Sequence, residues 1–332
     1  MTEPSVDRRV GAPRADGAVP DDGIAVEARG LTKRFGDVLA LDRVSFDVRH
    51  GELFGFIGPD GAGKTTLFRL LVSLFTPDDG ESRVLGLDPV NDLWQLRRRV
   101  GYMPGRFSLY PDLTVGENLA FYARVFGTTV DAQKATIEPI WRQLEPFAKR
   151  RAAALSGGMK QKLALCCALV HAPDILFLDE PTTGVDAVSR GEFWDLLGRL
   201  RAGGLTILVS TPYMDEASRC DRVALLQRGR VLRIDKPAAV SAAYPRPLLS
   251  VRGGDRLGML AILRAHPHAA SVWPFGASLH FTDDRPGASP AQIARDLTAW
   301  LARQDLPAEV EPIAASIEDA FMWDMLHAEV PA

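Results

Sequence analysis

The residues with the clearest chemical potential lie in a glycine-rich run. Residues 58–65 read Gly-Pro-Asp-Gly-Ala-Gly-Lys-Thr and match the spacing GxxxxGK[ST]. Glycines at this spacing let backbone N–H groups close around phosphates at the start of a helix. The pattern predicts a phosphate-binding loop, in which Lys64 neutralises the terminal phosphates and Thr65 ligates Mg²⁺. The residues predicted to contact the nucleotide are Gly58, Pro59, Asp60, Gly61, Ala62, Gly63, Lys64, Thr65 and Thr66.

A second group of reactive residues is an acidic pair at the end of an apolar run. Residues 175–180 read Ile-Leu-Phe-Leu-Asp-Glu, which predicts a buried strand with two carboxylates at its C-terminal end. Asp179 is predicted to hold Mg²⁺ through water, and Glu180 to polarise the attacking water as the catalytic residue. Such a pair alone is often only the start of a loop, so its combination with the phosphate loop favours the catalytic interpretation.

These residues need a framework of strands and helices. The apolar run before Gly58 predicts a buried strand, and leucines at helical spacing after Lys64 predict the helix that a phosphate loop requires. The other runs of strand length predict a parallel central sheet covered by helices, with two edge strands at the start and a closing hairpin around Gly229. The predicted strands are 24–27, 44–48, 53–57, 175–178, 205–209, 223–226 and 231–234.

Changes in amino-acid composition along the chain predict several regions. Residues 1–23 are expected to form a disordered tail, because they are rich in Pro, Gly, Ala, Asp and Arg. Residues 24–237 are expected to form the main domain, with a helical subdomain at about 107–170. In this subdomain, Thr114 and Glu117 have the spacing of a capping box. Residues 238–332 are expected to form a small α+β domain.

Composition narrows the possible classes of protein. The 332 residues are 46% hydrophobic and carry a formal net charge of -3, so we expect a globular protein without a nucleic-acid partner. No apolar run approaches the length needed to cross a bilayer, and the first residues lack the pattern of a secretory signal. We therefore expect a chain that does not span a membrane by itself and is not secreted. Its three cysteines lack the spacing of a metal site, and a reducing cytoplasm fits them best.

A further motif lies between the phosphate loop and the acidic pair. Residues 155–161 read Leu-Ser-Gly-Gly-Met-Lys-Gln and resemble the signature of ABC-type ATPases. With the other two motifs, the resemblance covers about residues 24–237 and identifies an ATP-binding subunit of an ABC transporter. It implies an α/β fold, the P-loop NTPase of ABC-ATPase type, with a mostly parallel sheet, an antiparallel edge subdomain and a helical insertion. The C-terminal domain is similar to the tail domain of subunits that serve drug, polymer or lipid exporters.

The resemblance also implies partners and roles. Two ATPase chains would form a head-to-tail dimer with ATP and Mg²⁺ between them, and Ser156, Gly157 and Gly158 would contact the γ-phosphate held by the opposite chain. Phe35 would stack on adenine, with an ordinary surface or core aromatic as the alternative, and Asp186 would communicate across the dimer. ATP hydrolysis would drive export through a separate membrane permease, which would hold this chain on the inner face of the cell membrane.

Two positions depart from the family pattern. Gly105 stands where the family usually has a Gln that reaches Mg²⁺ and the attacking water, and Pro212 stands where it usually has a His that contacts the γ-phosphate. We therefore expect the chain's own site to hydrolyse ATP slowly, while its signature serves a competent site on a different ATPase chain. The alternatives are a homodimer in which Arg106 or a neighbour replaces the missing groups, a non-transport ABC protein, and a regulatory nucleotide-binding scaffold.

The resemblance places the permease contact between Gly105 and the helical insertion. A surface that docks a membrane protein is expected to expose apolar side chains, here Phe107, Leu109 and Tyr110. The alternative is that these residues pack the small core of the insertion itself. The transported substrate cannot be read from this chain, because selection of the cargo lies in the permease.

Overall fold

The computed structural model describes residues 23–105 and 109–327. Residues 1–22 of the predicted tail lie outside the described residues, as do Arg106 and Phe107. Thirteen strands occur in the described residues, as follows: β1 (Ile24–Phe35), β2 (Val38–Arg49), β3 (Leu53–Ile57), β4 (Asp79–Val84), β5 (Val100–Met103), β6 (Ile175–Asp179), β7 (Thr206–Thr211), β8 (Arg222–Gln227), β9 (Arg230–Asp235), β10 (Leu248–Gly253), β11 (Ala269–Phe275), β12 (Ser278–Asp283) and β13 (Ala308–Ile313).

Helices connect most of these strands. The same described residues form ten α-helices, as follows: α1 (Lys64–Leu71), α2 (Leu93–Arg99), α3 (Val115–Val125), α4 (Lys134–Leu144), α5 (Gly157–Leu169), α6 (Ala187–Ala202), α7 (Pro237–Ala242), α8 (Arg256–Arg264), α9 (Pro290–Ala302) and α10 (Ile317–His327). The chain divides into two compact units, the first with residues 23–53 and 63–209 and the second with residues 54–62 and 210–327 of the described chain.

The first unit contains an antiparallel sheet in the order β2-β1-β4. The prediction that residues 24–27 form an edge strand is wrong, because β1 pairs with β2 on one side and with β4 on the other. Strand β4 reads Asp-Gly-Glu-Ser-Arg-Val and is largely exposed, so it has no hydrophobic alternation by which it could be predicted. Its backbone hydrogen bonds to β1 define it as a strand.

Two parallel strands and three helices near the site also belong to the first unit. Strands β5 and β6 pair in parallel, from Val100 opposite Ile175 to Met103 opposite Leu178. Both α3 and α4 pack against α5, which agrees with the predicted helical region. The capping box at the start of α3 is confirmed, because the Thr114 hydroxyl accepts from the Glu117 N–H at 3.2 Å and the Glu117 carboxylate accepts from the Thr114 N–H at 2.8 Å.

The second unit contains the strands β3, β8 and β9 and a separate C-terminal sheet. Strand β3 pairs in parallel with β8, and β8 pairs with β9 as the predicted antiparallel hairpin. The C-terminal sheet has the order β11-β12-β10-β13 and is antiparallel throughout. Its chain order, β-α-β-β-α-β, is the ferredoxin-like arrangement. Side chains from the sheet, α8 and α9 form one apolar core, which includes Val251, Met259, Leu263, Phe281, Ile293 and Leu297.

Candidate functional site

The first half of the phosphate loop follows directly from β3. All five residues of β3 are buried, and the N–H of Gly58 donates to the carbonyl of Thr211 at 3.3 Å. A Cβ atom on Gly58 would overlap the carbonyl oxygen of Leu226, so only glycine fits there. The next three residues, including Asp60, are exposed. Gly61 has a φ of +77°, a conformation that strongly favours glycine.

The second half of the loop leads into α1. Gly63 has a φ of 104° and precedes the first residue of the helix, Lys64. Because glycine has no side chain to cap the helix, the N–H groups of the first turn remain suited to an anion. Thr65 and Thr66 are partly buried in this same turn. The loop therefore has the backbone form that the sequence predicts, a glycine-rich turn that ends at a helix N-terminus.

The acidic pair meets the start of α1 within the first unit. The Nζ atom of Lys64 lies 3.1 Å from Oε1 of Glu180, and the Thr65 hydroxyl donates to Oδ1 of Asp179 at 3.1 Å. Lys64 and Asp179 are only 3% and 2% exposed. Two motifs that are far apart in sequence thus place an ammonium, a hydroxyl and two carboxylates in contact, which is the set of groups expected around a nucleotide's phosphates and Mg²⁺.

Glu180 has a strained backbone. It follows the fully buried strand β6, and its φ of +51° lies in the left-handed region, which non-glycine residues seldom adopt. Strain of this kind is concentrated at functional sites. Its carboxylate also accepts a hydrogen bond from the Thr183 hydroxyl at 3.4 Å. The sequence predicted Glu180 from its position after the strand, whereas neither the strain nor the Thr183 contact had a signal in the sequence.

Gly105 lies close to the backbone of the acidic pair. A Cβ atom at this position would be 2.9 Å from the carbonyl oxygen of Asp179 and 3.7 Å from the Cβ atom of Glu180. The first distance is shorter than a normal van der Waals contact, so a larger residue at position 105 would need a shift of the backbone. Gly105 is thus a place of close approach as well as a position without a side chain.

The other departure, Pro212, lies in the second unit. It follows the last residue of β7, Thr211, and is partly buried. The Thr211 hydroxyl donates to a buried carboxylate oxygen of Glu216 at 2.5 Å and accepts from the Tyr213 N–H at 3.1 Å. Hydrogen bonds therefore hold the chain on both sides of Pro212, although the proline side chain has no donor or acceptor of its own.

The signature residues and the loop of Asp186 are neighbours in the first unit. Ser156 caps α5 and accepts from the Met159 N–H at 3.3 Å, and Asp186 caps α6 and accepts from the Ser189 N–H at 3.0 Å. Hydrogen bonds from Ser189 also lower the pKa of the Asp186 carboxyl. A Cβ atom on Gly158 would lie 2.6 Å from the Ser189 hydroxyl. Ser156 and Gly157 remain exposed, so they are accessible to a group from outside this chain.

Phe35 is an exposed aromatic residue at the end of β1. Its side chain is 45% exposed, and one edge contacts the ring of Phe75 at a centroid distance of 5.5 Å. The ammonium of Lys33 lies 5.7 Å from its centroid. Because the ring is not part of the core, the alternative of an ordinary core aromatic is wrong, and a face of the ring can contact a ligand.

An apolar cavity of about 640 Å³ lies beside α2, α3 and α5 in the first unit. Leu109, which was predicted to be exposed, is only 5% exposed and lines this cavity. Tyr110 is exposed and does not line the cavity, and its ring packs on that of Phe121 at a centroid distance of 4.7 Å. The prediction for Leu109 is wrong because it packs inward. Sequence reasoning also missed Trp94, which is 72% exposed and lines the same cavity. The other lining residues include Leu74, Tyr122, Val125, Phe126 and His171.

Comparison with known proteins places this geometry in a family. A family model described as "ABC transporter" matches residues 41–183. The "Nod factor export ATP-binding protein I" of Mesorhizobium japonicum is 35% identical over 97% of this chain and 94% of its own length. The chain belongs to the ATP-binding proteins of ABC transporters. The resemblance stated from the three motifs is thereby confirmed.

Other members of the family agree with this assignment. The "Probable multidrug ABC transporter ATP-binding protein YbhF" of Escherichia coli is 45% identical over 65% of this chain, and the match spans 38% of the YbhF length. Among solved structures, cbiO1 of Clostridium perfringens, described as part of the ABC transporter complex cbiONQ, covers 67% of this chain with 25% identity and a TM-score of 0.60. The match spans 92% of the cbiO1 chain.

A further structural relative supports the predicted fold. It is the ATP-binding cassette MJ0796, described as a dimer in a post-hydrolysis state bound to ADP and Pi. The match covers 64% of this chain and 98% of the MJ0796 chain, with 27% identity and a TM-score of 0.57. The predicted α/β fold class of an ABC-type ATPase is confirmed. Within residues 23–105 and 109–327, no helix is both long and apolar enough to cross a membrane.

Proposed function

We propose that this chain is the ATP-binding subunit of an ABC exporter and couples ATP binding and hydrolysis to export through a separate membrane permease. The observation that carries the proposal is a pair of contacts between the two motifs. Lys64 lies 3.1 Å from Glu180, and the Thr65 hydroxyl lies 3.1 Å from Asp179. The names of the E. coli and M. japonicum relatives, a multidrug transporter protein and a Nod factor export protein, support export as the direction. Residues 24–237 would form the ATP-binding domain, and residues 238–332 an accessory domain.

The residues present fit a magnesium nucleotide. Thr65 and Asp179 would hold Mg²⁺, because a hydroxyl and a carboxylate are the oxygen ligands that this ion prefers. Lys64 and the loop N–H groups from Gly58 onward would bind the phosphates. Bound Mg²⁺-ATP supplies the phosphoanhydride bond that is cleaved. The part of Glu180 would be to orient and polarise a water molecule.

The chain's own site is proposed to hydrolyse ATP slowly. Gly105 and Pro212 provide no side-chain donor or acceptor, and loss of one positioned polar group commonly lowers a rate by about 10²–10⁴. Ser156, Gly157 and Gly158 would complete the site of a second ABC ATPase chain. The exposure of Ser156 and Gly157 supports that role, as does the dimer described for the MJ0796 cassette.

Docking to the permease is proposed to use the cavity of the first unit. Its lining is mainly apolar, and Trp94 and Val125 on its rim are 72% and 62% exposed. Exposed apolar groups of this size around a concave surface favour a protein contact. Such a contact would hold the chain at the cytoplasmic face of the membrane through its partner, with no membrane-spanning segment of its own needed.

Calorimetry with Mg²⁺-ATP tests the nucleotide site. The wild-type chain is expected to bind, and Lys64→Ala to weaken binding at least about tenfold because one charge-assisted contact to phosphate is lost. Lys149→Ala, which removes an exposed lysine from the helical region, is the matched control and should bind normally. Equal affinity of the wild type and Lys64→Ala would contradict the proposal.

Turnover measurements test the asymmetry separately. The purified chain alone is expected to hydrolyse ATP far more slowly than the complex with its partner chain and permease. Should the isolated chain turn over at the rate of the complex, and Glu180→Gln abolish that turnover, the chain would be an ordinary homodimeric ATPase. The proposal of a degenerate site would then be wrong, while ATP binding would still stand.

A transport assay tests the docking surface. Trp94→Ala is expected to lower transport by the reconstituted complex and leave the Mg²⁺-ATP affinity of the chain unchanged, since it removes a large apolar contact away from Lys64. Leu257→Ala is the matched control, because Leu257 is 78% exposed and belongs to the C-terminal domain. Normal transport and normal co-purification of the permease with Trp94→Ala would exclude this surface.

A further inference from the structure

The last described helix, α10, is fixed to the C-terminal sheet at its first turn. The Oδ1 atom of Asp319 lies 2.7 Å from Nδ1 of His280 in β12, and both side chains are buried. The other carboxylate oxygen accepts from the N–H and hydroxyl of Ser316 at 2.8 and 2.6 Å. A buried polar group with these hydrogen bonds holds one orientation. The start of α10 therefore follows the position of the sheet.

The same helix is fixed to β9 one turn later. Two parallel hydrogen bonds join the Arg233 guanidinium to the Asp324 carboxylate, with Nε–Oδ2 at 2.7 Å and Nη2–Oδ1 at 2.8 Å. The Asp324 side chain is 14% exposed. A two-point pair of this kind fixes direction as well as distance. Asp319 and Asp324 thus tie the C-terminal sheet to the strand that closes the hairpin of residues 222–235.

Helix α10 also contacts the segment 214–219, a short 3₁₀-helix that begins two residues after Pro212. Glu216 in this segment is 3% exposed, and its carboxylate accepts from the Thr211 hydroxyl at 2.5 Å. If this segment moved away, the buried Glu216 carboxylate would lose its hydrogen bond from Thr211, which is energetically unfavourable. The packing of α10 therefore bears on the position of Thr211.

Thr211 in turn contacts the phosphate loop. Its carbonyl accepts from the N–H of Gly58, the first residue of the loop, at 3.3 Å. Residues 54–62 belong to the same compact unit as residues 210–327 of the described chain. A continuous series of contacts within this unit therefore runs from α10 through the segment 214–219 and Thr211 to Gly58.

We propose that the C-terminal domain positions the start of the phosphate loop, with α10 as the connecting helix and Arg233, Asp324, Glu216 and Thr211 as positioning residues. This inference rests on the proposed function, because it gives the accessory domain a role at the proposed ATP site. None of these residues needs to touch ATP. They hold the segment after Pro212, and through it the Gly58 N–H, in the orientation that the loop requires.

Backbone amide exchange of the full chain without nucleotide tests the inference. Asp324→Asn removes the ion pair to Arg233 and is expected to speed exchange in residues 211–219 and at the amides between Gly58 and Ala62, by about twofold to thirtyfold. The exchanged pair Arg233→Asp with Asp324→Arg is expected to restore slow exchange. Faster exchange confined to α10 and β9 would overturn the inference, because the ion pair would then be a local structural contact only.

A matched control lies in the same domain. Asp296→Asn removes another Arg–Asp contact of this domain, in which Nη1 of Arg285 lies 2.8 Å from Oδ2 of Asp296, and it should leave exchange at residues 58–62 unchanged. Equal acceleration in both variants would also overturn the inference. If Asp324→Asn does not fold, Arg233→Lys keeps the charge but loses the two-point geometry, and should act in the same direction. Failure of the wild type to bind Mg²⁺-ATP would refute the proposed function, whereas the exchange comparison would still decide the role of α10.

Discussion

Substitution of Gly105 is the most direct test of how the site is built. If the only effect of Gly105 were the missing glutamine side chain, Gly105→Gln would be expected to raise the rate of ATP hydrolysis. The structure predicts otherwise, because the first added carbon atom would lie 2.9 Å from the carbonyl oxygen of Asp179. That oxygen belongs to the backbone and cannot rotate away. The backbone of position 105 or of Asp179 must therefore move.

The magnitude follows from the usual effect of overpacking. Forcing an extra carbon atom into a tight contact costs about 1–3 kcal/mol, and in a domain of this size each kcal/mol lowers the melting temperature by about 2–4 °C. Gly105→Ala and Gly105→Gln should therefore both melt several degrees below the wild type, since the conflict arises at Cβ. The shift should also loosen the bond between Thr65 and Asp179, so neither variant should gain turnover.

Thermal unfolding of the two variants beside a control measures this effect. Gly254→Ala is the matched control, because a Cβ atom on Gly254 meets no atom within 4 Å and its melting temperature should remain near that of the wild type. The reasoning is refuted if Gly105→Ala melts together with Gly254→Ala. It is also refuted if Gly105→Gln raises the ATPase rate of the isolated chain without a loss of stability.

Two further residues of the first unit give predictions. Asn118 is fully buried, and its side-chain amide donates to the carbonyls of Tyr110, Leu113 and Thr114 at 3.0–3.2 Å. Asn118→Ala should therefore lower the free energy of unfolding, measured in urea, by about 1–3 kcal/mol. An unchanged midpoint of urea unfolding would contradict this. Burial lowers the pKa of His171 below its usual value of 6.5, so below that pH the unfolded chain binds more protons than the folded chain. The free energy of unfolding should therefore decrease as the pH falls there, by at most about 1.4 kcal/mol per pH unit. His171→Phe should reduce this slope in urea titrations, and an identical slope would contradict the assignment.

Local signals explain why much of the fold could be predicted. Strand β3 is a short apolar run before glycines, α3 begins with a capping box, and the hairpin of β8 and β9 turns at Gly229, so each is encoded within a few residues. Residues 248–327, which are expected to belong to a small α+β domain, contain both strands and helices. Patterns of this kind need no knowledge of distant contacts.

Features that depend on distant contacts could not be predicted. Strand β4 is polar and exists through its pairing with β1, and β5 has only four residues and pairs with β6. The cavity lined by Trp94 and Leu109 is formed by helices from separate parts of the chain. At the site, the motifs identified Lys64 and Glu180 by type and spacing, yet their contact and the left-handed backbone of Glu180 required the fold.

The pairing of Lys64 with Glu180 bears on how the proposed site changes when phosphates bind. A buried ammonium is unfavourable unless an opposite charge is near, and Lys64 is 3% exposed with the Glu180 carboxylate at 3.1 Å. A nucleotide's phosphates would bring new negative charge to Lys64, so the lysine would no longer depend on Glu180. The carboxylate would then be available to orient water only when substrate is bound. Because Glu180 directly follows the fully buried strand β6, that carboxylate would stay at the end of the strand in both situations.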